Sequence, residues 1–457
     1  MQRRYVRVIH YKRRKASFHD IATKRGTRSV YTSTLQSLMA GLVTRRSELR
    51  KVKFGTSDMH VSELCVGSMT WGSYISDEAA AHAQLDAAFA AGANFIDTAE
   101  LYPVAFNYGK LTEVWIGNWL AKRVAAGTTV RKDYYMATKC NAAMIGGHPE
   151  GEEHKHHHGY EVDILERSCR ASIERLQCEY IDLYQLHFPS RDTPVFGCAS
   201  FYPGVKDNPN RPFPATDELP PHVPGYEVFE RQVLAIKTLF DKGLIKHWGL
   251  SNENAYGITM FCVTADKLGV PRPISCQNDF SLLNRTYECD TWEAAYRFGV
   301  VGLPYGALAG GVLTGKYIDG SKWSKAADAD RPLAESRMRK TPEFQPRYGM
   351  PMAMLATAKY VALAEKYGVS PTELALAWSR QRACNTAIIS GTCTVAQMEQ
   401  CIAAFKVELP EECMTEVDVL AEQFRHPCSH MHSKKACLDA PWLTGDDGRH
   451  ASQPHKE

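Results

Sequence analysis

Short apolar runs alternate with longer amphipathic stretches along most of this chain, and polar residues fall where the runs end. Phe95 and Ile96 form one run, opened by Gly92 and closed by Asp97. Residues 134–138 form another, ended by Lys139, and residues 180–186 a third, ended by His187. Runs this short and this apolar predict buried parallel strands. Further runs at 62–67, 245–250, 274–278, 300–305 and 387–390 bring the number of expected strands to eight. Between them the apolar period lengthens. Asp77 can cap a helix over 78–91, whose Ala81, Leu85, Ala88 and Phe89 recur at helical spacing. Similar patterns predict helices over 111–122, 162–176, 228–241, 254–267, 291–298, 352–367, 371–381, 395–405 and 410–424. Ser370 and Pro371 supply a cap and a first helical position for the helix over 371–381.

Eight strands alternating with helices predict an α/β fold, a (β/α)8 TIM barrel with long loops on the face where strands end. In such a barrel the C-terminal strand ends carry the chemistry. An acid there is costly unless paired or solvated, so Asp97, Lys139 and His187 are candidate site residues, with Tyr102 just beyond the first. The stretches 188–225 and 319–348 read as loops without internal period. The first, with Phe196, Phe201, Tyr202 and Phe213, would wall a substrate cavity. No GxGxxG follows a strand, which counts against a Rossmann fold.

Charge changes the picture at the termini. Residues 1–50 carry 13 Lys and Arg against two acids, Asp20 and Glu48, although the whole chain is only +3. The remainder is therefore acidic overall, which argues against nucleic-acid binding by the folded part. The expected division is a basic N-terminal extension over 1–50, disordered or targeting, a barrel over 51–425, and a polar His-rich tail over 426–457. No apolar stretch is long enough to span a membrane. Fourteen Cys without CxxC pairs read as reduced thiols. The expected location is the cytoplasm, with mitochondria the alternative that the basic segment offers. His148, His154, His156, His157 and His158 sit in a low-complexity loop with no tetrahedral ligand spacing, so no metal is expected.

The motifs DTAELY (97–102), YIDLYQLH (180–187), SELCVGSMTWG (62–72), WGLSNEN (248–254) and GVLTGKY (311–317) together resemble those of the aldo-keto reductases. The resemblance runs from about Val52 to about Phe424. It is closest to the bacterial Tas-like branch, in which the Tyr is followed by Pro and an insertion, here 103–108. It implies an NAD(P)H-dependent reductase of aldehydes or ketones, with Asp97, Tyr102, Lys139 and His187 as a catalytic tetrad. Tyr102 would donate the proton, its phenol made more acidic by Lys139. Ser251, Asn252 and Gln277 would hold the nicotinamide carboxamide, Tyr305 would stack on the ring, and Trp71 would line the substrate cavity. Leu308, Gly310, Gly311 and Lys316 would border the diphosphate. Gly391, Thr392, Thr394, Gln397 and Cys401 would surround the adenosine phosphate. Cys393 stands where many members carry a basic residue, so NADP (NADPH) is the implied cofactor and NAD the alternative. The expected partner is a small carbonyl substrate, and a monomer is slightly favoured. The second reading is a cofactor-binding, partner-binding module like the potassium-channel β subunits.

Overall fold

The computed structural model of the protein describes residues 41–103, 111–140, 160–191, 193, 195–196, 225–318, 320–325, 332–342 and 344–429. Eight strands form one sheet: β1 (Leu64–Gly67), β2 (Phe95–Asp97), β3 (Tyr135–Cys140), β4 (Ile181–Leu186), β5 (Ile245–Ser251), β6 (Ser275–Gln277), β7 (Val301–Gly302) and β8 (Ile388–Gly391). The sheet runs in the order 7-6-5-4-3-2-1-8, and every neighbouring pair is parallel. The helices are α1 (Glu78–Ala90), α2 (Leu111–Ala125), α3 (Val162–Leu176), α4 (Tyr226–Asp241), α5 (Ala255–Leu268), α6 (Trp292–Phe298), α7 (Pro351–Lys366), α8 (Pro371–Gln381), α9 (Val395–Ala404) and α10 (Glu411–Gln423). They flank the sheet, and α9 packs against α1.

The molecule is thus an α/β fold of eight parallel strands flanked by helices. A fully laddered closed barrel is not what forms. The end strands β7 and β8 form no ladder with each other, and one isolated bridge, Gly302 to Asn385, joins β7 to the stretch just before β8. Gly302 N–H donates to Cys384 O, Thr386 N–H to Gly302 O, and Ile389 N–H to Pro304 O, at 3.0 ± 0.1 Å. The reason is local. β7 is two residues long, and Pro304 has no N–H to continue a ladder.

Alternation along the strands sorts their side chains. Phe95, Ala137 and Leu183 point to a shared interior cluster with Leu303 and Ala387, while Ile96 and Met136 face the helices. A hairpin, Lys51–Lys53 with His60–Ser62, adds Phe54 and Met59 to that interior cluster. The Phe54 ring meets Phe95 edge-on at 5.4 Å, and Asn94 ties the hairpin down by accepting from Ser62 N–H at 2.7 Å. Apolar side chains therefore fill this layer of the sheet interior.

The expected boundaries shift. The compact unit begins at Val43, inside the segment read as an extension. Thr44–Arg45 pairs with Val407–Glu408, and Arg46 reaches Glu63 at 2.9 Å. At the other end Cys428 is buried and donates to Leu283 O at 3.0 Å. The stretch 319–348, read as a charged loop, holds the helical turn Arg337–Lys340, with Met338 and Tyr348 fully buried. Residues 1–40, 104–110, the His-rich loop 148–158 and Phe201, Tyr202 and Phe213 lie outside the described residues. Among the described residues no helix is long and apolar enough to cross a membrane, and no group of His, Cys, Asp and Glu could hold a metal ion.

Candidate active site

One residue pair beyond the apolar layer, the same alternation turns polar. Asp97 follows Phe95, Lys139 follows Ala137, Gln185 follows Leu183, and Gln277 ends β6. These four meet. Lys139 Nζ donates to Asp97 Oδ2 and to Thr98 O, both at 2.7 Å, and lies 3.4 Å from Tyr102 Oη. Asp97 Oδ1 accepts from Gln277 Nε2 at 2.8 Å and from Gln185 Nε2 at 3.2 Å. Lys139 is fully buried. Burial by itself would push its ammonium towards the neutral form, but Asp97 and then Tyr102 reverse this and its pKa lies above the ordinary value.

Tyr102 and His187 sit above this layer, their rings edge-on at 5.8 Å. His187 stacks on Phe188 at 4.3 Å. Its Nδ1 is buried without a hydrogen-bond partner. Burial and the Lys139 charge hold the imidazole pKa well below its usual range, so the ring is neutral. The Tyr102 phenol departs from expectation. Burial raises its pKa more than Lys139 lowers it, and the net shift is upward. Lys139 moderates the desolvation of the phenol without overcoming it.

These groups open into a cleft of about 900 Å³. Asp97, Tyr102, His187, Ser251, Asn252, Gln277, Tyr305, Leu308, Gly310, Gly311, Lys316, Gly391, Thr392, Gln397 and Cys401 all line it. Three expected residues do not. Lys139 lies behind Asp97 and Tyr102. Thr394 instead caps α9, accepting from Gln397 N–H at 3.2 Å. Trp71 was expected on the cavity wall but is fully buried in the cluster that holds Ile75 and Trp115. Its backbone turns through a bond from Trp71 N–H to Ser68 O at 2.9 Å.

Around the rest of the cleft, polar side chains are fixed by one another. Asn252, at φ +59°, accepts from Tyr305 Oη at 2.8 Å and donates to His187 O at 2.9 Å. Ser251 Oγ donates to Gln277 O at 3.0 Å. Thr392 faces the cleft, yet its hydroxyl donates to Gln84 at 2.7 Å. Gly310 and Gly311 take φ +64° and +92°, so bare backbone faces the cleft there. A Cβ on Gly311 would stand 3.4 Å from Lys316 Cε. At the far end are Cys393 and the N-terminus of α9, whose partial positive charge suits a phosphate. A glycine-lined path with an ammonium at its middle and a helix N-terminus at its end fits an extended dinucleotide.

The family model of the aldo/keto reductase family matches residues 63–422. The chain belongs to the aldo-keto reductases. The reductase is 33% identical to protein tas of Escherichia coli over 81% of this chain and 97% of that protein. It is 28% identical to the oxidoreductase YrpG of Bacillus subtilis over 79% and 92%. A solved structure, the glycerol dehydrogenase of Gluconobacter oxydans, superposes with a TM-score of 0.56 at 22% identity, covering 82% of this chain and 96% of that one, and shares the fold. Like its family, the reductase is an NAD(P)H-dependent oxidoreductase.

Part of the site carries little or no local signal in the sequence. Gln185 was signalled by the alternation Leu183, Gln185, His187. Asp279, Arg347 and Tyr348 carried no such signal. They form a buried triad beside the cleft, with Arg347 Nε donating to Asp279 Oδ2 at 3.0 Å and Tyr348 Oη to Asp279 Oδ1 at 2.7 Å. Arg347 stands over the Phe196 ring, and Phe188 and Phe196 both line the cleft.

Proposed function

We propose that the protein reduces an aldehyde or ketone to an alcohol, with Tyr102 as proton donor and NADPH as the favoured cofactor. The observation that carries this is the fully buried Lys139, bonded to Asp97 and within 3.4 Å of a Tyr102 hydroxyl that faces the cleft. A buried ammonium beside a phenol has little structural use, and a buried charge needs a pair to persist.

The bound cofactor would supply the hydride. The protein's own groups manage the oxygen. Tyr102 holds its proton in the resting site because burial raises its pKa. Negative charge growing on the substrate oxygen draws that proton, and Lys139 stabilises the phenolate left behind. Asp97 keeps the ammonium in place, and the neutral His187 orients the carbonyl. Ser251, Asn252 and Gln277 would set the nicotinamide ring, with Tyr305 against its face. Gly310, Gly311 and Lys316 would border the diphosphate, and Gly391, Thr392, Gln397 and Cys401 the adenosine end. Thr394 serves there as the cap of α9. We read the eight strands as curled around these groups, with the β7–β8 edge held by isolated hydrogen bonds, and residues 51–425 as the part of the chain that carries the catalytic groups.

The test is loss of reduced-nicotinamide absorbance with a panel of simple aldehydes and ketones, for wild type and Tyr102→Phe, with NADPH and NADH. Turnover that falls about 10²- to 10⁴-fold in the variant supports the reading. Equal rates in both proteins would sink it. Cofactor binding without turnover in either would favour the partner-binding module. A preference for NADH would mean that Cys393 and the α9 N-terminus do not replace a basic side chain.

A further inference from the structure

Gln185 belongs to the polar layer but not to the cleft wall. It is fully buried on β4, opposite Lys139 in the β3–β4 register. Its neighbour on β5 is Gly249, so no side chain at that level stands between it and Gln277 on β6. The two amides and the Asp97 carboxylate form a closed triangle. Asp97 Oδ1 accepts from Gln185 Nε2 at 3.2 Å and from Gln277 Nε2 at 2.8 Å, and Gln277 Nε2 also donates to Gln185 Oε1 at 3.0 Å. A carboxylate paired with an ammonium only accepts, so both amides must turn their NH2 groups towards it. Turning either one over would set oxygen against oxygen inside the sheet. Both N–H groups of Gln277 are then committed, one to Asp97 and one to Gln185. Its Oε1 is the atom left for the cleft that Gln277 lines, and it has no hydrogen-bond partner among the described residues.

We infer that Gln185 is a positioning residue for the cofactor: through Gln277 it fixes an acceptor, Gln277 Oε1, that receives the NH2 of the nicotinamide carboxamide. The inference rests on the reductase reading above and adds a residue to it. A primary amide held by one hydrogen bond can turn about that bond, whereas two bonds in different directions fix its plane. Without Gln185, Gln277 keeps Asp97 alone, and its freed N–H competes with Oε1 for the cleft. A carboxamide has a donor side and an acceptor side, and a fixed acceptor selects the donor side. Support of this kind, from a buried group that never touches the ligand, is what holds a contact residue to one geometry.

The probes are NADPH and its acetylpyridine analogue, in which a methyl group replaces the carboxamide NH2. Both are titrated calorimetrically into wild type, Gln185→Met and Gln185→Glu, a readout that needs no turnover. The wild type is expected to bind NADPH about 10-fold more tightly than the analogue, because the methyl group leaves Gln277 Oε1 without a donor. In Gln185→Met, which roughly keeps the volume, the ratio falls towards one. Gln185→Glu keeps the shape and makes the bonds depend on a proton. Protonated, the introduced carboxyl donates to Asp97 and accepts from Gln277, and the wild-type ratio returns. Ionised, it has nothing to give Asp97, and the ratio falls. The charged groups beside it are Asp97 and Lys139; burial and Asp97 favour the protonated form and Lys139 opposes it, so the ratio is lost as pH rises. Lost packing alone would weaken both nucleotides together at every pH. A wild-type ratio near one, or a ratio unchanged in Gln185→Met, would overturn the proposal and leave carbonyl reduction through Tyr102 standing. Should Gln185→Met fail to fold, a ratio in Gln185→Glu that follows the wild type at all pH values overturns it equally. Failure of the wild type to bind either nucleotide would sink the reductase reading and this inference with it.

Discussion

Lys139 and Asp97 form a pair in which the two partners are not equally replaceable. Asp97 keeps two amide donors, from Gln185 and Gln277, if the ammonium is removed. Lys139 keeps only the Thr98 carbonyl and the Tyr102 hydroxyl if the carboxylate is neutralised. Asp97→Asn is therefore expected to destabilise by about 3–5 kcal/mol, the cost of leaving a buried charge unpaired, and Lys139→Met by less. Urea denaturation of the two variants measures the order, and a reversed order would contradict the account. The pH dependence follows from the neighbours. His187 is held neutral well below its usual pKa, so its ring should show no titration between about pH 6 and 8 by NMR. Its folded-state pKa is depressed, so it lends stability above the ordinary value of about 6.5 that is lost as pH falls below it. Tyr102 is shifted up, so kcat/KM for carbonyl reduction should stay level through neutral pH, with its alkaline limb above about 10. A limb near pH 7 would mean another group gives the proton.

The strands and their end residues were legible because alternation is a local signal. A short apolar run closed by a polar residue shows both its extent and its mouth, and Asp97, Lys139 and His187 were readable that way, whereas Gln277 was marked by the family resemblance alone. Gln185 was equally present in the alternation but looked like an interior interruption of an apolar run. The segment 332–349 was not legible. Arg347, Tyr348 and Met338 are buried by partners from distant elements such as Asp279, and charge in an aperiodic stretch reads as solvated. The motif position of Trp71 says nothing of which way the turn aims the ring, which is buried here. The hairpin was missed because each arm is three residues long. Its weight can be measured. Phe54 is fully buried against Phe95, so Phe54→Ala should cost about 3–5 kcal/mol in denaturation while leaving the Lys139 layer intact. An effect below about 1 kcal/mol would show that the hairpin merely covers the sheet interior.

For the molecule as a whole, the junction of β7 and β8 is the thinnest part of the sheet. A Cβ on Gly302 would lie 2.3 Å from the Cys384 carbonyl oxygen, so Gly302→Ala should force the strands apart and lower stability by about 1–3 kcal/mol. In wild type, the amides of Gly302, Thr386 and Ile389 should exchange with solvent before those of β3 and β4, whose ladders are continuous. Uniform exchange would mean that the seam is as firm as the rest. The polar layer has the opposite character. Lys139 is sealed from solvent and its Nζ is committed to three oxygens. Amine-acylating reagents will therefore tag surface lysines quickly and pass this one by. Its tagging requires the strands to separate, so the rate at which Lys139 alone becomes acylated is a clock for global opening, readable by peptide mass in any mixture that contains the protein.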